Sequence, residues 1–326
     1  MGQLPTARVS PSRLFSHTGV DFAGPVLFSR GRGAKTTKGY IAVFICTVTW
    51  AVHLEGASDL STHAFLAAYS RVTARRGVCA VLYSDNTTNF KGAASELQRM
   101  LASSSFAPNI SEKLAAQGTD WSFIPPRAPY FGGLWKAAFR SAKYHLKRVI
   151  CETRLTFEEL STLCAKIKAC LNSRPLCALS NEVTGELALT PAHFLVGSAL
   201  LSHPEPYDEA QRPMSPSNRW KLLVNLRNSF WSSWRKEVLH QHLKRCKWQT
   251  PRTNLQEGDV ILVRDGLAPP ATCPLGVVIA THARADNLVR VATVKTAAST
   301  LSRPIVKLVK LLTQHELEKC YSEQSK

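Results

Sequence analysis

The sequence predicts an α/β fold: a mixed five-stranded sheet flanked by helices, then a helical segment and a small β-barrel. Three observations carry this prediction. Strand patterns cluster early and then alternate with helical ones up to about residue 172, which is how a mixed sheet with helices on its faces is written. A Trp- and Arg-rich helical pattern then fills 218–247. Beyond Gly258 the apolar period changes to short β runs broken by turn residues.

In chain order, 1–15 is a polar, proline-containing lead. Gly19 to Ser29 reads as a strand carrying Asp21, followed by a basic, glycine-rich hairpin with Arg30, Arg32, Lys35 and Lys38. Tyr40 to Trp50 is a β-branched and aromatic run, the mark of a strand buried on both faces. Ala51 to Ala57 alternates and predicts a third strand. Ser61-Thr62 can cap a helix that runs to about Arg75 and ends at Gly77. Val78 to Tyr83 is a short buried strand, with Ser84 to Phe90 as the loop at its end. A short helix over Gly92 to Leu101 and a strand over Trp121 to Ile124 follow, the latter stopped by two prolines.

Tyr130 to Ile150 is a glycine turn feeding an amphipathic helix. Trp135, Ala138, Phe139, Ala142, Leu146 and Val149 fall on one apolar face. Lys136, Arg140, Lys143 and Lys147 form a basic stripe on another. Thr156 with Glu159 writes a capping box for a helix that runs to about Asn172. The proline-rich stretch 201–217 reads as a linker between a core of 16–200 and a helical segment of 218–250. Four or five short strands within 255–312 suggest a small SH3-like barrel, and 313–326 is a polar tail.

Forty-one Lys and Arg against twenty-three Asp and Glu give a net charge of +18 in 326 residues. Solubility needs no such excess, and a polyanion is its usual partner. The charge is spread over folded patterns rather than one polybasic tail, which favours nucleic acid over an acidic membrane. No run of membrane-spanning length occurs, and Met1 to Val20 lacks a signal core. A nuclear or cytoplasmic protein, not a secreted one, is expected. Nine cysteines are scattered with no CxxC, as suits reduced thiols. His240, His242 and Cys246 lack a fourth ligand, so no zinc site is expected there.

Two carboxylates stand out by context. Asp21 lies in a strand between Val20 and Phe22, and Asp85 immediately follows a buried strand. A carboxylate in apolar surroundings is costly unless something binds it. A mixed sheet of this order can set the middle of its first strand beside the end of its fourth. Two ionised carboxylates brought together normally hold a divalent metal. Taken alone, Asp85 is better read as a turn or capping residue.

The segments VDFAGP, YSDNTTNFKGA and WSFIPPRAPYFGGLWKAAFRSAK resemble the catalytic core of integrases from BEL/Pao-type LTR retrotransposons, which are ribonuclease-H-like polynucleotidyl transferases. LNSRPLCALS and LTPAHFLVG are similar to the segment after that core, and the Trp-rich helix and later strands to the C-terminal extension. The resemblance implies Mg²⁺-dependent (or Mn²⁺-dependent) 3′ processing and strand transfer at a two-metal site. Asp21 and Asp85 would be two of its three carboxylates, and a Glu opening the helix after FGGLW the third. In this chain that position is Lys136, with fifty residues between it and Asp85.

An ammonium in place of a carboxylate changes the site by two charge units. Metal binding by Asp21 and Asp85 is therefore expected to be weakened, and most strand transfer lost with the fold kept. Glu152 stands over four helical turns from Lys136 and cannot substitute. In the family a zinc-binding module precedes the core. This sequence opens on what resembles the segment just after it, so no zinc module is expected in these residues.

The resemblance further implies DNA as partner, both element ends and target, and homo-oligomerisation on it. Arg140, Lys143, Lys147 and Arg148 are the expected phosphate contacts. Trp220, Trp231, Trp234 and Trp248 interleave with basic residues, a pattern that suits core packing first and base stacking second. The alternative is a non-enzymatic DNA-binding or assembly protein derived from an integrase.

Overall fold

The fold is that of a computed structural model, which describes residues 10–29, 35–103, 118–124, 133–179, 188–200, 219–242, 254–264, 271–283, 286–313 and 316. For 101–103, 133–138 and 239–242 it describes the backbone alone. Arg30, Arg32, the 201–217 stretch, Cys246, Trp248 and nearly all of the tail lie outside the described residues. So do the side chains of Trp135, Lys136, Ala138, His240 and His242. The chain divides into two units, Met1–Lys168 with Arg212–Phe230, and Ala169–Gln211 with Trp231–Lys326. No described helix is long and apolar enough to cross a membrane.

The first unit runs β1 (His17–Phe28), β2 (Thr37–Cys46), β3 (Val52–Ala57), α1 (Thr62–Arg76), β4 (Val81–Ser84), α2 (Thr88–Ser103), β5 (Asp120–Phe123), α3 (Gly133–Ile150), β6 (Arg154–Leu155) and most of α4 (Phe157–Asn172). Its sheet has the order β3-β2-β1-β4-β5. β2 is antiparallel to β1 and β3, whereas β4 is parallel to β1 and β5. This mixed sheet with flanking helices is consistent with the expected ribonuclease-H-like fold.

β1 is long enough to hold two partners on one edge. β4 pairs with it at His17 to Gly19, and β6 at Leu27 and Phe28. On the other edge its ladder with β2 shifts between Ala23 and Val26, where Pro25 has no amide to give. One face of the sheet is closed by an aromatic cluster. Phe65 of α1 meets Phe22, Phe44, Phe90 and Trp121 at ring centroid distances of 5.1–6.2 Å.

Helix boundaries follow the expected chemistry. The Ser61 hydroxyl accepts from the Ala64 amide at 3.2 Å to cap α1, and Gly77 ends it at φ +80°. The Thr156–Glu159 box is made in both directions, at 2.7 and 3.2 Å.

Two expectations need correction. The Tyr40 to Trp50 run is not one strand: β2 stops at Cys46, and the Trp50 amide donates to the Cys46 carbonyl to turn the chain into β3. The Ala51 to Ala57 segment forms its strand as β3, and all of β3 is buried, His53 and Glu55 included. The second helix starts earlier than Gly92. Residues 88–91 are helical, and the Thr87 carbonyl accepts from the Lys91 amide at 3.1 Å.

The second unit holds β7 (Cys177–Ala178), β8 (Ala188–Leu189), α5 (Pro191–Val196) and the later part of α6 (Arg219–His242). β9 (Val260–Val263), β10 (Leu275–Ala283), β11 (Val289–Thr296), β12 (Thr300–Pro304) and β13 (Leu308–Lys310) complete it. The five form an antiparallel sheet in the order β12-β11-β10-β9-β13. β9 is buried on both faces. Val260 and Leu262 pack with Ala178, Ala188 and Val309, while Ile261 and Val263 pack with Val278, Ala292 and Val294.

Candidate nucleic-acid interface

The β1–β4 register sets the two expected carboxylates level with each other. Thr18 pairs with Leu82 and Gly19 with Tyr83. Two residues further along each chain stand Asp21, which a period of two keeps on the face of Gly19, and Asp85, the first residue past the end of β4. Phe22 points to the opposite face, where it stacks on Phe90 at 5.4 Å. Asp21 therefore belongs to the side of the sheet on which α3 packs.

The end of β4 is fixed by side chains. The Trp121 indole donates to the Ser84 hydroxyl at 2.8 Å, and that hydroxyl donates to the Asp85 carbonyl at 2.9 Å. The Asn86 side chain donates to the Ile124 carbonyl. The Asp85 carboxylate accepts from the Thr87 amide at 3.2 Å and hydroxyl at 2.8 Å. It thus works as a turn residue, as its local sequence alone suggested.

Asp21 has a different partner. Its Oδ1 accepts from the Phe22 amide at 2.7 Å, and its Oδ2 receives the Lys143 ammonium of α3 at 2.5 Å. Both side chains are about a third exposed, at 28% and 31%. The Lys143 ammonium also stands 5.7 Å from the Phe139 ring centroid.

Other members of the stripe face water. Arg140, Lys147 and Arg148 are exposed, and the Arg148 guanidinium lies 4.8 Å from the ring centroid of exposed Tyr144. Lys136 precedes Lys143 by seven residues, two helical turns or about 10.5 Å along the same stripe. The structure thus brings Asp21 and Lys143 together, sets Asp85 at the end of the strand beside β1, and leaves Arg140, Lys147 and Arg148 exposed on the same helix as Lys143.

These donors do not fit a two-metal centre. Two carboxylates are present, one of them neutralised by Lys143 and the other engaged in its own turn. The position the resemblance gives to a third carboxylate is a lysine in the sequence, so a dication at Asp21 would have to displace the Lys143 ammonium with no third carboxylate from that position to help hold it. Among the described residues no three His, Cys, Asp or Glu side chains are grouped to hold a metal.

A second charged cluster escaped the sequence reading. Glu55 of β3 accepts from His53 Nε2 at 2.9 Å, from Arg71 Nε at 2.8 Å, and from Arg75. Arg76 Nε donates to His53 Nδ1 at 3.4 Å. Burial pushes the Glu55 carboxyl up, but the His53 and Arg71 hydrogen bonds and the adjacent positive charges outweigh it and hold its pKa at about 2. Burial, with Lys168 and Arg76 nearby, lowers the pKa of His53 against the pull of Glu55. The available signal was a His and a Glu two apart inside an apolar strand, with paired arginines ending the next helix.

Comparison with known proteins adds little. Residues 218–311 match the model of DUF5641, a family of unknown function. No curated protein matches the chain. A cryoEM structure of a simian T-cell lymphotropic virus intasome in complex with PP2A regulatory subunit B56 gamma is similar at 11% identity. The match covers 96% of this chain and 85% of that one with a TM-score of 0.35. So loose a likeness decides nothing about fold or function.

Proposed function

We propose that this chain is an integrase-like DNA-binding protein, of the kind encoded by BEL/Pao-type LTR retrotransposons, in which the two-metal chemistry of strand transfer is impaired. The single observation that carries the reading is the Lys143–Asp21 ion pair, set in a strand register that levels Asp21 with Asp85. The motifs around both aspartates and around α3 support integrase kinship. A five-stranded antiparallel sheet with one 3₁₀ turn at Ile305–Lys307 supports an SH3-like barrel as the last domain.

In this reading 16–200 forms the core and copies of the chain assemble on DNA. Arg140, Lys147 and Arg148 bind backbone phosphates, a contact that is salt-dependent and indifferent to base sequence. Lys143 neutralises Asp21 and so removes a charge that would repel the phosphates. None of these contacts needs a divalent ion. Fluorescence anisotropy with a labelled duplex is expected to give the same affinity in EDTA as in Mg²⁺. Binding that is lost on chelation would overturn the reading.

A further inference from the structure

We infer that the cations gathered around Glu55 at the end of α1 form a binding site for a small ligand carrying adjacent phosphates, of the diphosphate class. The site lies in the first unit, uses none of the α3 stripe, and goes beyond duplex binding by α3. Arg71 and Arg75 of α1 pair with Glu55, and Arg76 donates to His53. Lys168 of α4 stands within electrostatic reach of Glu55, Arg75 and Arg76. Among the described residues neither Arg76 nor Lys168 makes an ion pair. Four cations thus meet one carboxylate, a local excess of three.

Burying Glu55 does not call for so many. Arg71 already meets its carboxylate through Nε at 2.8 Å and anchors on the Gly56 carbonyl at 2.6 Å. The end of α1 does not need the extra cations either. The Gly77 amide donates to the Thr73 carbonyl at 2.8 Å, and the Arg13 guanidinium donates to the carbonyls of Arg76 and Val78. The crowding has a cost. Burial and then Arg76 lower the pKa of Lys168, and burial and then Arg75 lower that of Arg76. Like charges held together in partly dry surroundings are relieved by an anion among them.

The arrangement selects the anion. Among the described residues Arg75 gives one N–H, to Glu55, and Arg76 one, to His53, so most of both donor forks is left for a ligand. Such forks match the oxygens of phosphate. A lone carboxylate would leave most of the excess standing, whereas two linked phosphates cancel it. Glu55 is buried while Arg75 is exposed, so the cluster opens to water. A duplex spreads its charge along a line, as the α3 stripe does, but these cations converge on one point.

The test is calorimetric titration of the full chain with pyrophosphate and, at matched ionic strength, with acetate, beside duplex anisotropy. Pyrophosphate is expected to bind and acetate not. Lys168→Met and Arg76→Gln should each weaken pyrophosphate about tenfold. Duplex affinity should stay within about twofold in both, since neither side chain belongs to the α3 stripe. Without ligand, Lys168→Met should keep or raise the urea midpoint, because it removes repulsion; a merely structural lysine would lower it. Absent pyrophosphate binding, or unchanged affinity in both variants, would overturn the proposal. So would a lower midpoint for Lys168→Met, or a duplex loss equal to its pyrophosphate loss. A wild-type chain that binds pyrophosphate but no duplex would sink the duplex reading and leave this one standing.

Discussion

Replacing Glu55 with alanine is expected to cost the first unit about 3 kcal/mol, read as a lower urea midpoint with an unchanged slope. Its side chain is 6% exposed, accepts from buried His53 and pairs with Arg71 and Arg75, so its removal leaves the His53 ring without its hydrogen-bond partner and two half-buried guanidinium groups without their counter-charge. Arg71 and Arg75 are themselves 34% and 54% exposed, which keeps the cost at the lower end of the range for broken buried pairs.

The same cluster sets the response to acid. His53 has its pKa lowered in the fold, so its contribution is present above about 6.5 and is lost as pH falls through that value toward the lower folded one. Glu55 is depressed from 4.5 to about 2, so its contribution is present above 4.5 and fades between the two values. Stability should therefore fall in two stages on acidification. Glu55→Ala should make the second shallower, with Glu159 and Glu316, which are also held low, still contributing, and an identical acid limb in that variant would contradict the assignment.

Replacing Arg140, Lys147 and Arg148 together with alanine is expected to weaken duplex binding by on the order of a hundredfold or more. The slope of log affinity against log salt should become shallower by about three. All three side chains are exposed on one helix and contribute little to the core, so the variant should keep its unfolding midpoint. An unchanged salt slope would place the DNA elsewhere. Lys143 is left out of this variant because its removal would uncover Asp21.

Much of the fold was legible because local patterns were strong. Ser61, the Thr156–Glu159 box and the apolar positions Phe139, Ala142 and Leu146 behave as their spacing requires. What local pattern could not carry was partner choice across long sequence separations. Lys143 reads as one more member of a solvated stripe, and only the packing of α3 on β1 turns it to a carboxylate 122 residues earlier. His53 and Glu55 are only polar positions in an alternating pattern, and it is α1 that supplies the arginines that let them be buried. The Thr47 to Trp50 turn was hidden for another reason, since Thr, Val and Trp are strand formers and carry no turn signal.

In the function proposed above, Lys136 stands where an integrase would carry its third carboxylate, and Lys143 occupies Asp21. Strand transfer of a labelled DNA end in Mg²⁺ and Mn²⁺, run side by side for the wild-type chain and Lys136→Glu, tests it most directly. Negligible product is expected from the wild type and a clear gain from the variant. Product from the wild type equal to that of Lys136→Glu would contradict it.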